Sequence, residues 1–561
     1  MLPPKILADP LSAEKAYFMF SEPTIGERFF GRQEILDLLN KRVWALKDGY
    51  RQNIALTGQS LAGKSSIILH FLHTIKEEGF VPVYVEVVRE NFRSFSNKFI
   101  ATMLYNSLVK AGEDVPVEMD ALLERARDVF PKTSLAIKHV NSYSDHGQLD
   151  EAYMGLLGLT SVMKEESGQS CIVILDEFDN LELLGIKNPF LNFGKVIMVQ
   201  KDTMYIVSSS RNRAIKKIIT EKLSLLFGNF EVVRVANFDL RTSGEFIDMK
   251  LGGVDIEPPL KKFLITLTDG NPFYLDKIAS RAKDLALERM SSYVDREVLG
   301  GAILDLVYNA NGIIHQYLLN FILNLLDTRH RDNYISILVA IANGRNKQAD
   351  IAHALKAKKT DISKGVDFLS ELGLISKNGV FFRIDDAMLE FWLKYVYQRR
   401  KDLLVDGAFD KMALFAGDIR ECLDHFLKEL EKGVPQRLAE LFNLFGNELV
   451  TIEAKNVRLP HFTRVEVRTF PDSKLYISCS FRGNVWIVQP YEHDITENDV
   501  INYIKNVKSS SLKVSNKVMI SLKGIDENAK LLAKELKISV WDSSTANTLL
   551  NFYGEKRIAI L

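Results

Sequence analysis

Residues 53–72 read NIALTGQSLAGKSSIILHFL, and this stretch predicts an apolar strand, a glycine-rich loop and a helix in that order. The loop, residues 58–65, fits G-x-x-x-x-G-K-[ST] at every fixed position. Its glycines let backbone N–H groups curl around a polyphosphate, and the following helix adds a partial positive charge at its N-terminus. The residues predicted to bind a nucleotide are Gly58, Gln59, Ser60, Leu61, Ala62, Gly63, Lys64, Ser65 and Ser66.

Two side chains of this loop have distinct chemical roles. Lys64 is expected to reach the β- and γ-phosphates, and the Ser65 hydroxyl to take one coordination position on Mg²⁺. A glycine loop can also arise by chance, but the order of strand, loop and helix favours the functional interpretation. The sequence therefore predicts ATP and Mg²⁺ as cofactors.

The length and composition of the chain limit its possible domain number, partners and compartment. The chain has 561 residues, too many for one hydrophobic core, and we expect three or four domains. Lys+Arg and Asp+Glu are both 72, so any contact with DNA must come from a local basic patch. Three widely spaced cysteines, no long apolar run and no signal-peptide core predict a cytoplasmic protein without a membrane partner.

Four further apolar runs predict strands, at residues 81–88, 171–175, 204–207 and 231–235. Helical patterns separate them, and the longest covers residues 92–167. Strands that alternate with helices predict an α/β fold with a parallel P-loop NTPase sheet. Ligands of such sheets bind at the carboxyl ends of the strands.

An acidic pair follows the second of these runs. Asp176 comes after four apolar residues, the Walker B arrangement, and is expected to hold Mg²⁺ directly or through water. Glu177 beside it is placed to polarise the water that attacks the γ-phosphate. By itself such a pair could be a turn with a helix cap, but the upstream P-loop favours catalysis.

The next strand ends in a run of serines followed by Arg211. Ser208, Ser209 or Ser210 can bond the γ-phosphate or the water, and Ser209 is taken as the candidate. Arg211, or Arg213 after it, is expected to supply positive charge to the transition state. The predicted catalytic residues are Lys64, Asp176, Glu177, Ser209 and Arg211.

Several motifs follow one another in an order that resembles a known class. They are Phe30-Gly31-Arg32 with Glu34, the P-loop, Asp176-Glu177, the serine run and Gly270-Asn271-Pro272. This order resembles the archaeal-type P-loop ATPases of the STAND class, relatives of AAA+ and origin-recognition ATPases, over residues 20 to about 400. The resemblance implies that Phe30, Gly31, Arg32 and Pro272 close over the adenine.

One departure from that class concerns hydrolysis. The class usually has Gly-Arg after the Leu-Phe or Leu-Tyr pair before the fourth strand, whereas this chain has Leu226-Phe227-Gly228-Asn229. A protein that binds the nucleotide but hydrolyses it slowly is therefore an open alternative.

Residues 333–384 predict a winged helix, with three helices and a hairpin that turns at Asn378-Gly379. Basic and polar residues cluster at the start of its third helix, where contacts with DNA would be made. The predicted DNA-binding residues are Lys356, Lys358, Lys359, Thr360, Ser363 and Lys364. The alternative is an intramolecular lid with solvated lysines.

The last 127 residues, 435–561, resemble a restriction-endonuclease-like domain in their order of strands and helices. An active member needs an Asp on one strand and Glu-x-Lys on the next. Those positions fall near Ser478 or Ser480 and at Gln489-Pro490-Tyr491, so we expect the fold without the nuclease chemistry. The alternative is an active site in which Glu466-Val467-Arg468 acts as an out-of-register substitute.

These inferences predict five segments. They are a P-loop ATPase core (1–238), a helical lid domain (239–328), a winged-helix domain (329–400), a helical linker (401–434) and a nuclease-like domain (435–561). The leading interpretation is an ATP-hydrolysing switch that couples nucleotide state to DNA binding. The alternatives are a STAND-type sensor or scaffold that assembles as a homo-oligomer or with a protein partner, and an ATP-regulated nuclease.

Overall fold

Parallel strands at the centre of a doubly wound sheet organise the first half of the computed structural model. The structure describes residues 23–75, 79–223, 230–326, 329–402, 411–452, 455–510, 512–555 and 558. The chain divides into two compact units, Met1–Asn237 and Phe238–Leu561.

In the described part of the first unit, the sheet has the strand order β2-β3-β4-β1-β5, and every neighbouring pair is parallel. The strands are β1 Asn53–Thr57, β2 Phe80–Glu86, β3 Ser170–Asp176, β4 Thr203–Ser209 and β5 Phe230–Arg234. The predicted α/β class and parallel sheet are confirmed. This order brings the carboxyl ends of β3, β4 and β1 side by side, which is where a ligand is expected.

Helices cover both faces of this sheet. They are α1 Gln33–Lys47, α2 Lys64–Thr74, α3 Phe92–Lys110, α4 Met119–Val129, α5 Pro131–Asp145, α6 Leu149–Ser167, α7 Pro189–Val199 and α8 Asn212–Lys217. All five residues of β1 are buried: Ile54 and Leu56 pack on the α1–α2 side, and Ala55 packs on the opposite side. A strand buried on both faces has to be almost wholly apolar, which is why β1 is readable from the sequence.

The second unit begins with helices and two short strands. They are α9 Leu240–Leu251, β6 Asp255–Ile256, α10 Pro258–Thr268, α11 Pro272–Glu288, β7 Tyr293–Val294, α12 Arg296–Ile303 and α13 Ile313–Leu325. A three-helix group with a hairpin follows: α14 Arg331–Ala342, α15 Gln348–Ala354, α16 Lys359–Glu371, β8 Ile375–Asn378 and β9 Phe381–Ile384. The winged-helix interpretation of this group stays a prediction.

Three helices, α17 Ala387–Trp392, α18 Gln398–Asp402 and α19 Lys411–Glu431, lead to a second α/β layer. Its elements are α20 Val434–Asn443, β10 Glu448–Ile452, β11 Lys455–Leu459, β12 Arg464–Thr469, β13 Leu475–Phe481, β14 Asn484–Tyr491, α21 Glu497–Ser509, β15 Val514–Ser521, α22 Glu527–Glu535, β16 Ser539–Asp542 and α23 Ser543–Phe552. The sheet has the order β12-β13-β14-β15-β16, antiparallel up to β14 and parallel beyond it. The hairpin β10–β11 is an element that the sequence reasoning missed.

None of the helices in the described ranges combines the length and the apolar character needed to cross a membrane. The five-segment division of the chain stays a prediction.

Candidate nucleotide-binding site

The loop between β1 and α2 turns tightly over the edge of the sheet. Leu61 has φ 61° and Gly63 has φ 95°, so the backbone takes left-handed conformations at two points of the turn. Position 58 requires a glycine because the backbone passes close to Val235: a Cβ there would lie 2.3 Å from the Val235 carbonyl oxygen. The loop therefore has the curved backbone that a polyphosphate cradle needs.

Lys64, the first residue of α2, turns its side chain back into this loop. Its Nζ donates to the carbonyl oxygens of Gly58 (3.2 Å) and Gln59 (2.9 Å) and to Ser210 Oγ (2.9 Å). The residue is only 4% exposed. Burial lowers the pKa of Lys64, while the carboxylates of Glu177 and Asp176 oppose that shift. The Lys64 ammonium group therefore lies inside the loop, where the sequence predicts that the phosphates bind.

Asp176, at the end of β3, accepts hydrogen bonds from four groups on different elements. Ser65 Oγ donates to Oδ2 at 2.6 Å, and the Tyr84 hydroxyl donates to the same oxygen at 3.1 Å. Oδ1 accepts from Ser208 Oγ and, at 3.1 Å, from the backbone N–H of Glu177. These donors fix the orientation of the carboxylate and join it directly to the P-loop serine.

Glu177 sits in a left-handed backbone conformation with φ 50°. Its carboxylate accepts a hydrogen bond from the backbone N–H of Ser210 at 3.1 Å and another from the Ser210 hydroxyl. Burial raises the pKa of the Glu177 carboxyl, and the Lys64 ammonium opposes the shift. Ser210 thus bridges the lysine of the P-loop and the acid that follows β3.

Ser209 does not lie in this cluster, contrary to the expectation from the sequence. It is fully buried, and its Oγ accepts from the backbone N–H of Arg211 at 3.0 Å. Successive side chains of a strand point to opposite faces, so Ser208 and Ser209, the last two residues of β4, face opposite ways. Ser210 follows the end of the strand. The polar contacts to Asp176 and Glu177 come from Ser208 and Ser210.

The guanidinium of Arg211 also contacts residues outside the cluster around Asp176 and Glu177. It forms an ion pair with the buried carboxylate of Asp179 and donates to Asn180 Oδ1 at 2.9 Å. The structure therefore places Arg211 against the 3-10 segment Phe178–Leu183. Its role in stabilising a transition state stays a prediction.

The predicted adenine-closing segment lies beside the P-loop. Gly31 has φ 67°, and Phe30 is half-buried next to it. The Arg32 guanidinium donates to the carbonyl oxygens of Ala236 (2.6 Å) and Ala62 (3.3 Å). Ser66, on the first turn of α2, accepts from the backbone N–H of Thr24 at 3.2 Å. These contacts fix the segment against α2 and the residues after β5, whereas its role at the adenine stays a prediction.

The predicted turn at Pro272 belongs to the second compact unit. Pro272 is the first residue of α11, and Asn271 caps the helix by accepting from the backbone N–H of Phe273 at 3.0 Å. Gly270 has φ 70°, and a Cβ there would lie 2.1 Å from the carbonyl oxygen of Phe238. The adenine role of Pro272 stays a prediction. Residues 226–229, with the departure at Asn229, lie outside the described residues.

The positions aligned with nuclease chemistry carry other groups. Gln489 is 2% exposed, and its Oε1 has no hydrogen-bond partner among the described residues. Glu466 lies on the edge strand β12, where Arg464 and Arg468 of the same strand bind its carboxylate. Hydrogen bonds from Arg468 and Arg464 hold the pKa of Glu466 below its usual value. The described residues contain no group of three or more His, Cys, Asp or Glu side chains that could hold a metal ion.

The sequence reasoning missed Tyr84, and it did not separate Ser208 and Ser210, which contact the acidic pair, from Ser209. The catalytic role of Ser209 stays a prediction. Tyr84 comes from β2, two residues before its end, and its register partner on β3 is Ile174. A tyrosine within a largely apolar strand is the feature of the sequence that could have indicated a polar contact here. Nothing local in the sequence shows that its hydroxyl reaches Asp176.

The chain matches no protein-family model and no curated protein. The structure is similar to the Walker-type ATPase PABY2304 of Pyrococcus abyssi, with a TM-score of 0.44 and 19% identity, over 67% of this chain and 99% of that chain. It is also similar to the ORC2 protein of Aeropyrum pernix, with a TM-score of 0.42 and 13% identity, over 68% of this chain and 98% of that chain. At these identities and TM-scores the similarities do not establish a function for this chain.

Replacing Ser210 with alanine is expected to lower ATP turnover about tenfold, since one hydrogen bond to a charged group contributes roughly 1.5–3 kcal/mol. The hydroxyl it removes contacts both Lys64 and Glu177. Ser209→Ala is the matched control, expected to keep turnover within about twofold because its hydroxyl faces away from the cluster. Steady-state phosphate release by the two variants measures the difference, and equal losses would contradict the assignment.

Proposed function

We propose that this chain binds Mg²⁺·ATP at the P-loop and hydrolyses it to ADP and phosphate. The observation that carries the proposal is the 2.6 Å hydrogen bond between Ser65 and Asp176. It joins the P-loop to the carboxylate of a strand that begins more than one hundred residues later in the chain. Lys64 and Glu177 meet at Ser210 in the same cluster, so the groups that phosphoryl transfer needs are together.

The oxygen atoms of this cluster fit a magnesium ion. Mg²⁺ prefers hard oxygen ligands and is usually held by one or two carboxylates or hydroxyls together with substrate phosphates and water. Asp176 and Ser65 are the residues that would hold it. Bound there, Mg²⁺ neutralises charge on the phosphate oxygens.

The protein's own groups provide positioning and charge. The loop amides and the N-terminus of α2 bind the phosphate oxygens, and Lys64 offsets the charge on the β- and γ-phosphates. Glu177 accepts a proton from, or polarises, the attacking water. The raised pKa of Glu177 brings it closer to neutral pH, which suits a general base.

The direct test is phosphate release from ATP by the purified full-length chain, with and without Mg²⁺. Hydrolysis that requires Mg²⁺ and is lost in Asp176→Asn supports the proposal. Turnover that is the same in chelator, or is unaffected by that substitution, would contradict it.

Tyr84→Phe is expected to weaken the Mg²⁺-dependent part of ATP binding about tenfold, because groups that orient a metal-binding carboxylate typically matter 10–100-fold. It removes one of the donors to Asp176 Oδ2. ATP affinity is measured in Mg²⁺ and in chelator, and only the first is expected to fall. Tyr143→Phe, which changes an exposed tyrosine, is the control.

We propose as a second function that the three-helix group α14–α16 binds DNA. The exposed side chains of Lys356, Lys358, Lys359 and Lys364 favour it, since they lie together at and just before the start of α16. On the same helix, Thr360 is exposed and Ser363 is half-buried. The exposed carboxylates of Asp361 and Asp367 reduce the net positive charge of this surface. Four lysines at one helix end can bind several phosphates of a duplex.

Fluorescence anisotropy on duplex and single-stranded DNA, at two salt concentrations and with or without ATP, tests this second function. Binding that weakens steeply with salt and responds to ATP supports the switch. ATP-dependent assembly without salt-dependent DNA binding would instead support the STAND-type scaffold with a protein partner. Metal-dependent nicking that Glu466→Ala abolishes would support the nuclease.

A further inference from the structure

The tip of the hairpin β8–β9 is seated on strand β10 of the C-terminal α/β layer. Asn378 Nδ2 donates to the carbonyl oxygen of Thr451 at 2.9 Å, and the backbone N–H of Thr451 donates to Asn378 Oδ1 at 2.6 Å. One amide side chain thus pairs with both backbone groups of a strand residue. At Gly379, where φ is 58°, a Cβ would lie 1.7 Å from the carbonyl oxygen of Leu449. The tip and the strand are in backbone contact.

The second strand of the hairpin enters the core of that layer. Phe381 is fully buried and belongs to the same apolar cluster as Phe442 and Trp541. Its ring stacks on Phe552 of α23 at 4.7 Å between centroids and 2° between planes. Beside it, the buried Asn346 Nδ2 donates to the carbonyl oxygen of Phe552 at 2.6 Å. The burial of this apolar ring removes it from water and so favours the docked position of the hairpin.

A polar rim closes the contact around Glu448. Lys347 Nζ donates to Oε1 at 2.7 Å, the Tyr553 hydroxyl to Oε2 at 2.8 Å, and the backbone N–H of Gly446 to Oε2 at 2.6 Å. Burial tends to raise the pKa of Glu448, but these hydrogen bonds outweigh it and hold that pKa below its usual value. Lys347, which immediately precedes α15, is therefore paired with Glu448 and forms part of this contact.

The start of α16 carries exposed lysines, although Gln348, which follows the docking residue Lys347, donates to the carbonyl oxygen of Lys359 at 3.0 Å. Lys356, Lys358, Lys359 and Lys364 are exposed around the start of α16. On the hairpin, Lys377 is exposed as well, but the strand that carries it is held by the contacts described above. The group thus presents exposed lysines at the start of α16 and uses its hairpin and Lys347 to contact the C-terminal layer.

We propose that duplex DNA is held by the α15–α16 end alone, and that the hairpin β8–β9 is a permanent docking element for the C-terminal α/β layer and takes no part in DNA contact. The inference rests on the proposed DNA-binding function and names the surface and the mode of that binding. Each neutralised phosphate contributes about −0.9 to the slope of log K against log salt. With four lysines we expect a slope of about −3.6, which is about a 150-fold loss of affinity between 50 and 200 mM salt.

Matched lysine substitutions test which surface faces the duplex. Lys358→Ala is expected to make the salt slope shallower by about 1, and Lys377→Ala to leave both slope and affinity within error of the unmodified chain. Equal effects of the two substitutions would place the hairpin on the DNA and overturn the inference. A chain without salt-dependent binding would instead remove the proposed DNA function, and this inference with it.

A disulfide across the docking contact tests whether the hairpin has to move. In the full-length chain with Asn378→Cys and Thr451→Cys, oxidation is expected to cross-link the two residues without DNA and to leave DNA affinity within about twofold of the reduced protein. The native Cys171, Cys422 and Cys479 are buried and are not expected to compete. Failure to cross-link, or a tenfold loss of DNA affinity on oxidation that a reductant restores, would overturn the inference while leaving the DNA function intact.

Discussion

ATP affinity is expected to fall at least about 100-fold when Lys64 is replaced with alanine, since a charge-assisted hydrogen bond contributes up to about 3 kcal/mol and the ammonium also offsets phosphate charge. The effect is large because Lys64 is almost wholly buried among the P-loop carbonyls and Ser210, where little solvent screens its charge. Equilibrium titration with a fluorescent ATP analogue, in Mg²⁺, measures the loss.

The control for this prediction is Lys98→Ala. It removes an exposed lysine of the same unit that is paired with Glu90, so the change in net charge is the same. Thermal unfolding of both variants separates loss of binding from loss of fold. If Lys64→Ala keeps its fold and binds ATP within threefold of the unmodified chain, Lys64 is not the phosphate-binding lysine.

Glu177→Gln is expected to leave ATP affinity within about threefold and to lower turnover about 10²–10⁴-fold, the usual contribution of a general base. The glutamine keeps the shape and can still accept hydrogen bonds from Ser210, but it cannot take a proton from water. Single-turnover hydrolysis and nucleotide titration on the same preparation separate the two effects. Glu182→Gln, which changes an exposed acid of the following segment, is the control.

The same residue predicts a pH dependence. Burial raises the pKa of Glu177 above the usual value for a glutamic acid. A base works only when deprotonated, so turnover is expected to be full above this raised pKa and to fall as the pH drops through it. The residual activity of Glu177→Gln should lack that acid limb. If the loss of turnover at low pH is unchanged in Glu177→Gln, another group is responsible for it.

The sheet was readable from the sequence because its three central strands, β1, β3 and β4, are buried on both faces and therefore appear as continuous apolar runs. The P-loop and the Asp176-Glu177 pair were equally readable, since each occupies a few consecutive residues with a known chemical pattern. In the structure, Ser65 and Asp176 lie within hydrogen-bond distance. Local signals thus located the two halves of the candidate site.

The errors and omissions have a common physical cause. Choosing Ser209 over Ser208 or Ser210 needs the phase of β4, and a slip of one residue moves every side chain to the other face. Tyr84 reaches Asp176 from a neighbouring strand, and Phe381 meets Phe552 across 171 residues of chain, the difference of their numbers. Contacts of this kind depend on tertiary packing, which no local pattern in the sequence records.

The central claim is that one triphosphate and one divalent ion are held between Lys64 and Asp176. Counting the protein-bound Mn²⁺, used in place of Mg²⁺, by electron spin resonance with and without ATP tests it most directly. One ion per chain is expected when ATP is present, and far less without ATP, in Lys64→Ala or in Asp176→Asn. Retention of the ion in both variants, or ion binding that does not depend on ATP, would show that Lys64 and Asp176 do not hold a shared nucleotide and ion.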